Sequence, residues 1–134
     1  MKSALAFVLL AFSVLAFAQT LQIKSEATVY IEQADGFESY LAAAFIKVGV
    51  PLVIVTDKDK AEFIIRSNAQ QLVESSWRSS WTEVSATFSV IDPRSSQVVF
   101  AGSSMYQYYL KDAAEDCAKQ LKQYMTGGGK KKKK

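Results

Sequence analysis

The sequence predicts an α+β fold, a two-layer sandwich in which a mixed sheet of about five strands is packed by two helices. Three observations predict it. An amphipathic stretch at residues 37–48 lies between two short apolar runs, the pattern of a β-α-β crossover with parallel strands. Two later β-type segments are joined by a turn, so the remaining strands form an antiparallel meander. A second amphipathic stretch, from about Lys111 to Met125, closes the domain.

Residues 19–26 are a polar lead, and Thr28 to Ile31 is the first β-type run. Asp35 is placed to cap a helix, with Glu38 three residues on as the reciprocal acceptor of a capping box. Phe37, Tyr40, Leu41, Ala44, Phe45 and Val48 recur at spacings of three and four, which makes one apolar stripe. Gly49 supplies a left-handed residue after the last turn, and Pro51 prevents continuation. Leu52 to Val55 is apolar without alternation, as in a strand buried on both faces. Asp57 to Ala61 reads as a turn or a single helical turn, and Phe63 to Ala69 as the next strand. From Glu83 to Asp92, Val84, Ala86, Phe88 and Val90 alternate with polar residues, so one strand face is buried. Asp92-Pro93-Arg94-Ser95-Ser96 is a turn with proline second, and Gln97 to Tyr108 pairs back. In the second helix the stripe is Leu110, Ala114, Cys117, Leu121 and Tyr124.

The ends carry different information. Lys2, the apolar stretch Ala4 to Phe12, and Ala16-Phe17-Ala18 form a secretory signal with cleavage expected after Ala18. The apolar run is shorter than the roughly 20 residues that span a bilayer. The expected organisation is a signal at 1–18, one domain at 19–126, and a flexible Gly/Lys tail at 127–134. The net charge of +3 belongs to the tail. Without Lys2 and Lys130 to Lys134, ten basic residues face thirteen acidic ones. The domain therefore carries no sign of a specific nucleic-acid binder. Cys117 is the only cysteine, so no internal disulfide framework exists. Its thiol is either a small buried group on a helix face or a reactive, intermolecular one.

The sequence resembles a group of small, poorly characterised secreted bacterial proteins. The likeness runs through Val29-Tyr30-Ile31, Asp35 to Leu41, Val50 to Asp57, Lys60 to Phe63 and Ala113 to Leu121. More remotely it resembles the α/β domain of envelope assembly proteins, the curli secretion lipoprotein and the activator lipoproteins of peptidoglycan synthases. The resemblance implies a binding or assembly module, secreted or periplasmic, whose partner is a protein or cell-envelope component. No cysteine follows the expected cleavage site to accept a lipid. No functional residue carries over, because the likeness contains no catalytic motif.

Histidine is absent, which removes Ser-His and Cys-His nucleophile pairs and every His-based zinc site. No Gly-rich phosphate loop follows a strand, so no cofactor is expected. Asp57 and Asp59 at the end of an apolar strand have the form of a paired-carboxylate site, but Lys58 and Lys60 oppose cation capture, and Asp57 suits a turn cap. Trp77, Arg78 and Trp81, set among serines, form either an aromatic platform for glycan or peptide contact or a small core folded over the sheet edge. Tyr106, Tyr108 and Tyr109 cluster similarly, with Tyr106 and Tyr108 on one strand face, as a docking surface or as packing. Lys130, Lys131, Lys132, Lys133 and Lys134 form either a polycation that contacts anionic surfaces or a merely solvated tail. The function expected is a non-enzymatic exported binding or envelope-assembly module. Two alternatives remain, a hydrolase or transferase using Asp57 and Asp59, metal-assisted or not, and a subunit that self-assembles through an open sheet edge.

Overall fold

The computed structural model describes residues 23–78 and 80–127, with the side chains of Glu74, Ser75 and Tyr106 outside the description. The expected signal at 1–18 and Lys130 to Lys134 also lie outside the described residues. Strand β1 (Ala27–Ile31) leads into helix α1 (Phe37–Val48), strand β2 (Leu52–Ile54) and a 3-10 turn (Lys58–Lys60). Strands β3 (Phe63–Ser75), β4 (Ser80–Asp92) and β5 (Gln97–Gln107) follow, and helix α2 (Leu110–Thr126) ends the domain. The sheet order is β2-β1-β3-β4-β5. β1 pairs parallel with β2 and β3, whereas β3, β4 and β5 are antiparallel. This is the expected α+β architecture of a five-stranded mixed sheet with two helices.

The helices share one face of the sheet, and the core lies between the layers. Phe37, Leu41, Ala44 and Phe45 of α1 are buried with Val29, Ile65 and Val90. α2 contributes Ala113, Ala114, Cys117, Ala118 and Leu121, mostly small residues that let it approach β4 and β5 closely. That closeness leaves no free room for a side chain at Gly102. A Cβ built there would sit 2.7 Å from Phe88 Cε1 and 2.6 Å from Gln120 Oε1. The helices are also joined at their ends. Lys47 pairs with Glu115 at 2.8 Å, and Lys122 Nζ donates to the Val48 carbonyl at 3.0 Å. Ile23, placed by sequence in a polar lead, is buried in this core.

Three expectations need correction. Asp35 does not cap α1; the cap residue is Gly36, with left-handed backbone at φ 93° and no side-chain cap bond. Asp35 is itself left-handed, and the Glu38 carboxylate accepts from the Ala34 N–H at 2.7 Å and the Gly36 N–H at 3.0 Å. Only the glutamate half of the capping box forms. The second correction is β2, which is an edge strand with Val53 45% exposed rather than a strand buried twice. The reason is that both helices cover the same face, so Val53 points to the open one. The third is β3, which runs to Ser75 instead of stopping at Ala69, because its ladder with β4 continues to the Ser75–Ser80 pair. Gly49 does end α1, at φ 82°, with its N–H bonded to the Phe45 carbonyl.

On the open face, Tyr30, Ile64 and Ile91 stand in register across β1, β3 and β4. Ile64 between them is buried although neither described helix lies on that face. A shallow groove of about 580 Å³ lies on the same face, lined by Arg66, Asn68, Thr87, Ser89 and Ser103 among others.

Candidate functional site

The meander is ragged at one end, and that raggedness builds the most exposed apolar feature of the fold. β5 pairs with β4 only between Val84 and Asp92, while β1 pairs with β3 only at Phe63 to Ile65. From Gln70 to Glu83 the two strands therefore run on as a two-stranded arm with no strand on either flank among the described residues. Leu72 is 54% exposed, Val73 64%, Trp77 87% and Trp81 46%. Strand alternation puts Leu72 and Trp81 on the open face and Val73 on the helix side, so each face of the arm carries an exposed apolar side chain.

Trp77 stands at the tip between the strands, where the Arg78 guanidinium lies 4.6 Å from its ring centroid. The Arg78 N–H donates to Ser76 Oγ at 3.3 Å. Trp77 completes no small core, and Trp81 is nearly half exposed, in contrast to a fold-over of the sheet edge. Tyr108 is not on a strand face shared with Tyr106. It lies in the bend after β5, and Tyr108 and Tyr109 are both exposed. The Val84–Gln107 register places that bend at the base of the arm. The side chain of Tyr106 lies outside the described residues. The structure thus brings Trp77, Arg78, Trp81 and Tyr108 to one end of the molecule.

Asp57 and Asp59 lie elsewhere, Asp57 at the start of the 3-10 turn after β2 and Asp59 within it, and both are exposed. Asp57 Oδ1 accepts from the Asp59 N–H at 3.0 Å, the capping role that its position suggests. Among the described residues, no group of three or more His, Cys, Asp or Glu side chains is gathered to hold a metal. Lys58 turns away to Glu32, at 2.9 Å, and Glu32 also binds Arg66 Nε at 2.9 Å. The Arg66 and Lys58 hydrogen bonds hold the Glu32 carboxyl below the usual carboxylate range. Cys117 is fully buried on α2, and burial, with Asp116 adding to it, pushes its thiol up to about 12. That suppresses the thiolate needed for nucleophilic or redox chemistry.

Sequence reasoning missed two features of this region. The length of the arm was hidden because Asn68, Gln70 and Gln71 break any apolar alternation, although Leu72-Val73 facing Trp81 across a serine-rich turn is a hairpin signal. The Glu32–Lys58–Arg66 cluster joins residues far apart in sequence, and no local spacing reports it.

No known family matches the sequence, and no curated protein matches it. Solved structures do share the fold. The chain is similar to PelC from Paraburkholderia phytofirmans, whose structure is a dodecamer, with TM-score 0.52 and 16% identity over 78% of this chain and 92% of that one. It is also similar to TolB from Acinetobacter baumannii, at TM-score 0.50 and 9% identity, covering 82% of this chain but only 30% of TolB. A third likeness is to the lipoprotein GNA1162 from Neisseria meningitidis, at TM-score 0.45 and 11% identity over 60% and 81% of the two chains. At 16% and 9% identity, the likenesses to PelC and TolB speak for the fold alone.

Proposed function

We propose that this chain is an exported, non-enzymatic module of the bacterial envelope that works by binding, and that the β3–β4 arm is its binding element. The observation that carries the reading is the exposure of Leu72, Val73, Trp77 and Trp81 on an arm with no strand on either flank among the described residues. Large apolar side chains kept in water on both faces of one element mark an interaction site. Tryptophan and arginine are the side chains that most often anchor such contacts. PelC, which shares the fold, is a dodecamer, and this supports a role in assembly. The exposed state of Asp57 and Asp59 and the suppressed Cys117 thiolate give no comparable support to catalysis.

The test is retention of envelope proteins on the immobilised chain and on a Trp77→Ala/Trp81→Ala variant. Both tryptophans stand outside the core, so the variant is expected to keep its circular dichroism and thermal midpoint. A specific partner retained by the parent chain is expected to be lost by the variant. Undiminished retention would remove the arm from the binding surface.

A further inference from the structure

We propose that the outer edge of β3, from Ala69 to Val73, is a self-association edge that pairs antiparallel with the same edge of a second copy of this chain. The proposal rests on the arm being the interaction element and names a partner for its backbone. Three observations carry it.

The first is a row of unused backbone groups. The Ile65 carbonyl points toward β1, where it accepts from the Glu32 N–H at 2.9 Å. Backbone direction alternates along a strand, so Ala69, Gln71 and Val73 aim their N–H and C=O groups the same way. β1 ends in register at Ile31–Ile65, and among the described residues no strand lies beside them.

The second is that the other edges are short or partly covered, the open edge of β4 on the arm running only from Ser80 to Glu83. On β5, the Gln120 side chain accepts from the Ser103 N–H at 3.2 Å and donates to the Ser103 carbonyl, standing in for a further strand. The Tyr124 hydroxyl lies 3.5 Å from the Val99 carbonyl on the same side. β2 is only three residues long. Short edges, covered edges, charges and prolines are the devices that keep sheets from joining. From Ser67 to Val73 the sequence has no charge, proline or glycine. The β3 edge is long and, among the described residues, carries none of these devices between Ser67 and Val73.

The third observation selects the occupant. In sequence, this neutral run is bounded by Arg66 before it and Glu74 after it. Antiparallel pairing with a copy sets the positive end of each edge alongside the negative end of the other, twice in one two-fold contact. Parallel pairing would set like charges together. The two-fold arrangement also matches each outward donor to an acceptor on the copy and makes one sheet continuous through both.

The experiment is sedimentation equilibrium on protein expressed from the full sequence, beside Gln71→Pro and Gln71→Lys. The Gln71 N–H points outward, so proline there removes no bond of the β3–β4 ladder. Lysine keeps the backbone and places like charges near the two-fold axis. The parent chain is expected to be a dimer, or an even multiple of one, at tens of micromolar. Each variant is expected to raise the dissociation constant by about tenfold or more, for proline through a lost hydrogen bond counted twice in a symmetric contact. The parent's Ala69, Gln71 and Val73 amides should gain hydrogen-exchange protection as concentration rises. A chain that stays monomeric, or an oligomer unchanged by both variants, overturns the proposal. If self-association fails while Trp77→Ala/Trp81→Ala still loses an envelope partner, the arm remains the binding element and only its partner was misassigned.

Discussion

Gly102 and Gln120 approach each other closely across the layers, and each limits what the other permits. Glycine at 102 leaves room for the Gln120 amide to reach the Ser103 backbone. Gly102→Ala would drive a methyl into the Phe88 ring and the Gln120 oxygen, so α2 must shift or the clasp must break. Overpacking of this kind costs typically 1–3 kcal/mol. Urea unfolding is expected to show a lower midpoint with unchanged slope, and an unaltered midpoint would mean that α2 lies farther from β5. Cys117 is a second residue whose surroundings decide its behaviour. With its thiol pushed up to about 12, scarcely any thiolate exists at neutral pH, and the sulfur is fully buried besides. A thiol reagent is expected to modify it only after denaturant is added. Rapid labelling of the folded protein would mean that α2 opens locally from the sheet.

Elements are tied together by carboxylates, and this gives the fold a directional response to acid. Glu32, at the end of β1, joins the 3-10 turn through Lys58 and β3 through Arg66. Glu38 closes the N-terminus of α1 through the Ala34 and Gly36 N–H groups, and Glu115 joins α2 to α1 through Lys47. These bonds hold all three carboxyls below their ordinary values. A carboxyl whose folded pKa is lowered contributes stability at neutral pH and loses it as pH falls through the folded value. Stability is therefore expected to be level near pH 7 and to decline below about pH 4. Glu32→Gln should lower stability at neutral pH and flatten the acid limb, as read from thermal midpoints across pH. An acid limb identical to the parent's would show that Glu32 makes no net contribution. What could be read in the sequence at this scale follows from locality. The α1 stripe and its Gly49 stop were legible, because helix periodicity and termination are written within a dozen residues. The open side of β2 was not, since an apolar run does not say how many layers cover it. Nor was the full reach of β3, where Gln70 and Gln71 have no core to face and the β4 ladder supplies the order. The candidate site divides similarly. Trp77, Arg78 and Trp81 were visible as a group, but their exposure follows from strand ends that local sequence does not fix.

At the scale of the whole molecule, charge and fold are separated along the chain. The folded part carries more acidic than basic residues, while five lysines follow a glycine run at the C-terminus. Helix α2 is complete without them, since it ends at Thr126 with left-handed Gly127 at φ 71°, whose N–H bonds to the Gln123 carbonyl. A chain truncated after Gly127 keeps that stop and loses Lys130 to Lys134 alone among its charged groups. Its thermal midpoint is expected to be unchanged, because no apolar side chain is removed. Its behaviour toward polyanions should change sign. The parent chain is expected to bind heparin or anionic vesicles with an affinity that falls steeply with salt, since exposed charges are screened within about 10 Å at 0.1 M. Five lysines near an anionic surface supply about 1 kcal/mol each, whereas the acidic remainder is repelled. The truncated chain should therefore show no binding at any salt concentration. Binding that survives truncation would require a basic site on the folded surface, and Arg66, beside the groove on the open face, is where alanine substitution should look for it first.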